Sequence, residues 1–365
     1  MDIIKQLKGE IISFASLYQT KYGRVHNAVN WNGSTDDTDE EVEEFWDLNV
    51  SQFWLEREVD LSYDLLPWEQ LTEAEKTTYV KVLGGLTLLD TKQGNKGMPL
   101  LQLHMENDKV AAVMAFMGAM ENIHAKSYSA IFSTFCSNNE IDSIFDWVKA
   151  NPNLQFKAES ITAVYEVLLK PLVSDEEIYR AMVASVLLES FLFYSGFFYP
   201  LYLAGQGKLT HAGEIINLII RDESIHGQFI GLQAQRLFET FDSKTQEDLE
   251  QWTKDLTRSL FQNEVKYAEN VYSEIGLFDD VRDFIIYNAN KAFDNLGFDH
   301  IYDDVEINPV VEAGLSTETK NHDFFSTKGN GYVKANVQPI TDETFKIDRL
   351  EIDLDDEINA LEEVA

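Results

Sequence analysis

The sequence predicts an all-α helical bundle, and three observations carry that expectation. Apolar residues recur at three- and four-residue spacing along most of the chain, strand-like alternation is sparse, and the stretch "AMVASVLLESFLFYSGFFYPLYLAG" at 181–205 is apolar on every face. With 365 residues, 44% of them hydrophobic and 12% aromatic, the chain has ample material for a large packed core.

Residues 1 to about 50 are polar and mixed, with an acidic run "TDDTDEEVEE" at 35–44 that reads as a solvated face or a helix start. In "LTEAEKTTYVKVLGGLTLLDTKQ", at 71–93, Thr72 is followed three residues later by Glu75, the pattern of a capping box. Leu83, Leu86 and Asp90 then come at helical spacing. Further helices are expected at about 107–136, 140–150, 158–170, 175–205, 211–240, 244–274 and 278–296. From about Glu306 the pattern dissolves into "INPVVEAGLSTETKNHDFFSTKGNGYVKANVQPITDETF", where Gly, Asn, Thr and Pro break every run. The expected organisation is a helical domain over 1–305 followed by a flexible arm over 306–365.

Charge and cysteine content narrow the function. A formal net charge of -34 and a pI near 4.4, with no basic patch, disfavour nucleic acid and anionic membranes as partners. Cys136 is the only cysteine, which excludes an internal disulfide framework and thiolate-rich metal sites and suits a reducing cytosol. The N-terminus lacks the basic, apolar and small-residue regions of a signal peptide, so a cytoplasmic protein is expected. Residues 181–205 are long enough to raise the question of a membrane span, but they carry Glu189 near the middle. A carboxylate there costs about 2.5–3.5 kcal/mol, and no Lys/Arg-rich flank orients the segment. A central bundle helix is the expected reading.

Several polar residues nevertheless sit on the apolar faces. Met117, Glu121, His124, Tyr128, Ile131 and Phe135 share one stripe; Met182, Val186, Glu189, Phe193 and Phe197 share another. A third stripe holds Ile216, Ile219, Glu223, His226 and Ile230, and Asp90 lies in line with Leu83 and Leu86. Unpaired burial of such groups costs roughly 1–3 kcal/mol each, so they need partners or a bound ion. Any one of them alone reads as a satisfied core residue. Together, two Glu-x-x-His pairs, each preceded on an earlier helix by a single carboxylate, are the ligand plan of ferritin-like bundles with a buried carboxylate-bridged dimetal site. Four carboxylates offset most of the charge of two metal ions, and oxygen and imidazole donors without thiolate suit iron or manganese rather than structural zinc.

The chain also resembles a known family, the radical-generating small subunit of class I ribonucleotide reductase, and is most similar to its class Ib branch. The likeness runs from about Asn49 to Tyr332 and rests on "SQFWLEREVDLSYD", "GGLTLLDTKQGN", "MENIHAKSYSAIFSTF", "LLESFLFYSGF", "RDESIHG" and "NHDFFSTKGNGY". It implies Asp90, Glu121 and His124 as ligands of one metal and Glu189, Glu223 and His226 as ligands of the other, with Tyr128 as the radical tyrosine. Tyr128 lies one helical turn beyond His124, where Phe193, Phe197 and Ile219 are expected to wall it off from water. The resemblance further implies that the hole stored on Tyr128 passes to a separate catalytic large subunit by way of Trp54, Asp222 and Tyr332. Asp222, next to ligand Glu223, is expected to orient His124 by a hydrogen bond. A homodimer is implied as well, and, where manganese is used, a flavodoxin-like activase. A ferritin-like di-iron oxygenase or iron-storage protein is the alternative, although it needs neither Tyr128 nor a docking arm. The arm departs from the family pattern: from Gln338 onward ten acidic residues stand against two basic ones, a composition suited to a segment that orders on binding.

Overall fold

Helix starts are set locally, and Thr72 does what its spacing requires. Its backbone N–H donates to Oε2 of Glu75 at 2.7 Å, and its hydroxyl accepts from the Glu75 N–H at 3.3 Å, closing the capping box that opens a helix over Glu73–Lys92. The computed structural model describes residues 28–31 and 37–315, and no strand occurs among the described residues. All of them belong to one unit, Met1–Asn321.

The main helices are α1 (Asp37–Ser51), α2 (Glu73–Lys92), α3 (Asp108–Phe135), α4 (Asn138–Ala150), α5 (Pro152–Glu166), α6 (Asp175–Leu187), α7 (Tyr194–Gly205), α8 (Thr210–Glu239), α9 (Ser243–Tyr272), α10 (Phe278–Leu296) and α11 (Pro309–Leu315). The all-α bundle expected from periodicity is therefore the fold that forms. Helices α2, α3, α6 and α8, with the segment joining α6 to α7, bring the candidate residues inward; α2 packs on α3 and α8 on α6. The acidic run becomes the start of α1, whose Val42 is buried.

Three departures from the periodic reading have local causes. Helix α5 begins at Pro152, six residues before the expected start, because Asn151 accepts from the N–H groups of Asn153 and Leu154, each at 3.0 Å, while Pro152 occupies the first turn. The helix expected without interruption over 175–205 contains a π-helical turn at Leu188–Leu192, and α2 runs into another at Gln93–Gly97. An extra residue in a turn rotates the rest of the helix by roughly 100°, so side chains before and after it can both face inward. Lastly, α11 lies beyond the expected domain boundary at 305 and packs on α7, with Val311 fully buried. Gly205 and Gly314 permit this approach: a Cβ on Gly205 would lie 1.9 Å from the Val310 carbonyl oxygen, and one on Gly314 2.1 Å from that of Leu201.

The segment Asp175–Gly205 is long and apolar enough to cross a membrane, but its apolar window is wholly buried within the bundle. Tyr128, Phe193, Phe197 and Ile219 are all fully buried. Away from them, the buried Lys157 ammonium lies 2.9 Å from Oε1 of Glu264, and Ser195 donates to Oε2 of the same carboxylate at 2.6 Å, tying α5, α7 and α9 together.

Candidate metal centre

Asp90 near the end of α2, Glu121 and His124 on α3, Glu189 in the π-turn after α6, and Glu223 and His226 on α8 converge in the core, all at 0% exposure. They form two groups whose ligand atoms lie within 4.8 Å of one another: Asp90, Glu121, His124 and Glu223, then Glu121, Glu189, Glu223 and His226. Glu121 and Glu223 belong to both. The i, i+3 spacing places each Glu and its His on one helix face, which is why two helices supply four of the six side chains.

Nδ1 of His124 is 2.9 Å from Oε1 of Glu223 and 3.5 Å from Oδ1 of Asp90; Nδ1 of His226 is 2.8 Å from Oε1 of Glu121 and 3.8 Å from Oε2 of Glu189. The site is full of buried polar atoms without hydrogen-bond partners. Both oxygens of Asp90, Glu121 and Glu223, Oε2 of Glu189, Nδ1 of His124 and both ring nitrogens of His226 are in this condition. Such atoms are costly in a dry core unless something coordinates them. Six oxygen and nitrogen donors arranged as two overlapping groups fit two hard or borderline metal ions.

The electrostatics agree. Burial, reinforced by the charges of Glu223 and Glu121, pushes Asp90 well above the usual carboxylate range. Burial and the same two carboxylates push Glu189 up as well. For both imidazoles burial acts downward, but the surrounding carboxylates outweigh it: Glu223, Asp222, Asp90 and Glu121 hold His124 well above its ordinary value. Glu121, Glu189 and Glu223 do the same for His226. The metal-free cluster thus retains protons that cations would replace.

Asp222 sits on the far side of His124. Its Oδ2 accepts from the indole N–H of Trp54 at 2.7 Å and lies 3.1 Å from Nε2 of His124, and the Trp54 and His124 rings are near-parallel at 6.0 Å. Because a carboxylate accepts, Nε2 carries the proton and Nδ1 is turned to the cluster. Arg221 donates to the Gln52 carbonyl at 2.8 Å, and Asp64 accepts from the Ala212 N–H at 2.7 Å, so α8 holds the Trp54 segment at three points.

The Tyr128 hydroxyl is buried and has no hydrogen-bond partner. Burial first, then the charges of Asp90, Glu223 and Glu121, raise its pKa well above the ordinary value, so it remains a protonated phenol. Tyr332 lies outside the described residues. Sequence reasoning missed Gln93, whose amide reaches Glu189; its position three residues after Asp90 on the same helix was the available signal.

Comparison with known proteins places this geometry. Residues 29–309 match the family model for the ribonucleotide reductase small chain. The ribonucleoside-diphosphate reductase subunit beta of Bacillus phage SPbeta is 52% identical over 324 residues, 88% of this chain and 97% of that protein. The subunit of the same name in Bacillus subtilis is 50% identical over 325 residues, again 88% and 97%. Among solved structures, the dimanganese(II)-NrdF of Streptococcus sanguinis superposes with a TM-score of 0.75 at 43% identity, covering 80% of this chain and 100% of that one.

Proposed function

The chain belongs to the ribonucleotide reductase small-chain family, and on that premise we propose how its residues share the work of a ribonucleoside-diphosphate reductase beta subunit. Asp90, Glu121 and His124 would hold one metal ion and Glu189, Glu223 and His226 the other, and Glu121 and Glu223 belong to both groups of side chains. Once bound and oxidised, by O2 for iron or by the oxidant an activase delivers for manganese, the two ions would supply the one-electron oxidant that takes an electron and a proton from the Tyr128 phenol. The residues around it do the rest. The buried apolar shell that includes Phe193, Phe197 and Ile219 excludes water and reductants, and Asp222 fixes the His124 ring while holding the Trp54 indole.

Trp54, Asp222 and Tyr332 form the route by which the hole leaves for the catalytic large subunit, where ribonucleoside diphosphates become deoxyribonucleotides. Indole and phenol are the side chains oxidisable enough to carry it. The donor set suits manganese or iron, and the Streptococcus relative is a dimanganese(II) protein. With manganese, a flavodoxin-like activase supplies the oxidant. The chain works as a cytoplasmic homodimer that docks on the large subunit through the part of the arm that follows α11, residues 316–365. The oxygenase and iron-storage reading gives way to the family assignment.

One observation carries the proposal: a wholly buried tyrosine hydroxyl without a partner, four residues after an imidazole whose Nδ1 faces the carboxylates. The test is metal analysis with EPR after loading the metal-free chain with iron and O2, or with manganese and a flavodoxin-like activase. Two ions per chain and a tyrosyl radical signal are expected. Two bound ions with no tyrosyl radical under either loading overturn it.

A further inference from the structure

Gln93 reaches the cluster from outside the six candidate ligands. Its Nε2 donates to Oε1 of Glu189 at 2.5 Å and to the Ser185 hydroxyl at 2.8 Å, while its Oε1 accepts from the Tyr165 hydroxyl at 2.6 Å. Gln93, Ser185, Glu189 and Tyr165 are all fully buried. The direction of the amide is fixed by chemistry. As a metal ligand Glu189 is ionised and can only accept, so the amide nitrogen lies toward Glu189, the amide oxygen toward Tyr165, and the phenol has to donate. Burial, with the charge of Glu189 next in size, raises the Tyr165 phenol well above its ordinary range, so the proton it donates stays in place.

The backbone is built around this contact. Gln93 and Gly97 bound the π-helical turn after α2, and a Cβ on Gly97 would lie 2.2 Å from Oε1 of Gln93 and 2.8 Å from the Tyr165 ring. Only a glycine there lets the amide and the phenol meet. At Glu189 the result is asymmetric: Oε1 is occupied by Gln93, whereas Oε2 has no hydrogen-bond partner and lies 3.8 Å from Nδ1 of His226.

We propose that Gln93, oriented by Tyr165 and Ser185, is a positioning residue that occupies Oε1 of Glu189 and aims Oε2 at the metal ion shared with His226. The inference rests on the reading of Glu189 as a ligand. It makes the two ions unequal in their dependence on Gln93, because the amide bonds to Glu189 and not to the side chains of Asp90 or His124. A residue that merely fills the core would act on fold stability and not on one ion.

The test is titration of the metal-free chain with Mn(II), resolving two dissociation constants from EPR of free ion and elemental analysis, beside circular dichroism and thermal midpoints. Gln93→Leu keeps the bulk and removes the donor. It is expected to weaken one ion by roughly 10–100-fold, the usual cost of losing a partner that orients a ligand, and to leave the other nearly unchanged. Tyr165→Phe, which keeps the ring and frees the amide to turn, is expected to weaken the same ion less; it decides the matter if Gln93→Leu does not fold. A lowered thermal midpoint with both affinities intact, or an equal loss of both ions, overturns the proposal. Glu189→Ala separates the two levels. Retention of both ions by that variant overturns the ligand reading and the positioning role with it. Normal affinities in Gln93→Leu, beside a Glu189→Ala chain that has lost an ion, overturn the positioning role alone.

Discussion

The indole Nε1 of Trp54 donates to Oδ2 of Asp222 at 2.7 Å across 168 residues of sequence, and that same oxygen faces Nε2 of His124 at 3.1 Å. A single carboxylate oxygen therefore joins a ring outside the candidate metal cluster to an imidazole that belongs to it. Asp222→Leu keeps the approximate size and removes the acceptor oxygen on which both donors converge. The variant is expected to bind the ion at His124 roughly tenfold more weakly, from the loss of a partner that orients the ring. Trp54→Phe is expected to keep both ions and the radical and to lose nucleotide reduction. Substantial deoxyribonucleotide formation by Trp54→Phe, measured with the large subunit, would remove the indole from the route.

Tyr128→Phe drops one hydroxyl that has no partner to lose, so the fold is expected to persist with a stability change of less than about 1.5 kcal/mol. Two ions per chain remain and the tyrosyl EPR signal disappears. A persistent, unchanged signal would assign the radical to another tyrosine.

Metal binding is expected to release protons. Asp90 and Glu189 are raised by burial and neighbouring charge, and His124 and His226 are raised by carboxylates that overcome burial. For groups with raised folded pKa values, the stabilisation of the metal-free fold is fully present below the unfolded values and is lost as pH rises through the folded ones. Cations displace these protons, so affinity and the metal-induced rise in thermal midpoint both grow as pH rises. Calorimetry at neutral pH in buffers of different ionisation heat measures the release; a buffer-independent heat would contradict it.

The Lys157–Glu264 pair is a separate matter of stability. Both side chains are almost fully buried, at 2% and 0% exposure, so removing one leaves the other charge with little solvent. Lys157→Met is expected to cost about 3–5 kcal/mol in urea unfolding, and Lys157→Met combined with Glu264→Leu far less. Equal losses in the single and the double variant would mean that packing, not charge, is at stake.

Making the radical and using it are expected to separate at the C-terminal arm. Every candidate ligand and Tyr128 lie before Glu306, so a chain ending after Phe325 is expected to fold, bind metal and form its radical, yet fail to support nucleotide reduction. Tyr332→Phe in the full-length chain removes the oxidisable hydroxyl and keeps the docking segment. It is expected to bind the large subunit with near-normal affinity and give almost no product; substantial turnover would route the hole elsewhere.

Local spacing was enough for the sequence to determine the helical class, the capping box at Thr72 and the inward set of Asp90, Glu121, His124, Glu189, Glu223 and His226. Each of those depends on which residues lie three or four apart on one helix, a distance the chain itself fixes. The start of α5 was equally local, since Asn151 and Pro152 announce it, although hydropathy alone hides it. Tertiary structure decided the features that no period encodes. The π-helical turns at Gln93–Gly97 and Leu188–Leu192 break the regular repeat, and the packing of α11 on α7 depends on two glycines more than a hundred residues apart. Trp54 meets Asp222 across 168 residues and Gln93 meets Glu189 across 96. Such contacts exist only once the helices have been brought together by burial of their apolar faces, because a hydrogen bond between distant residues leaves no periodic trace in either helix that makes it.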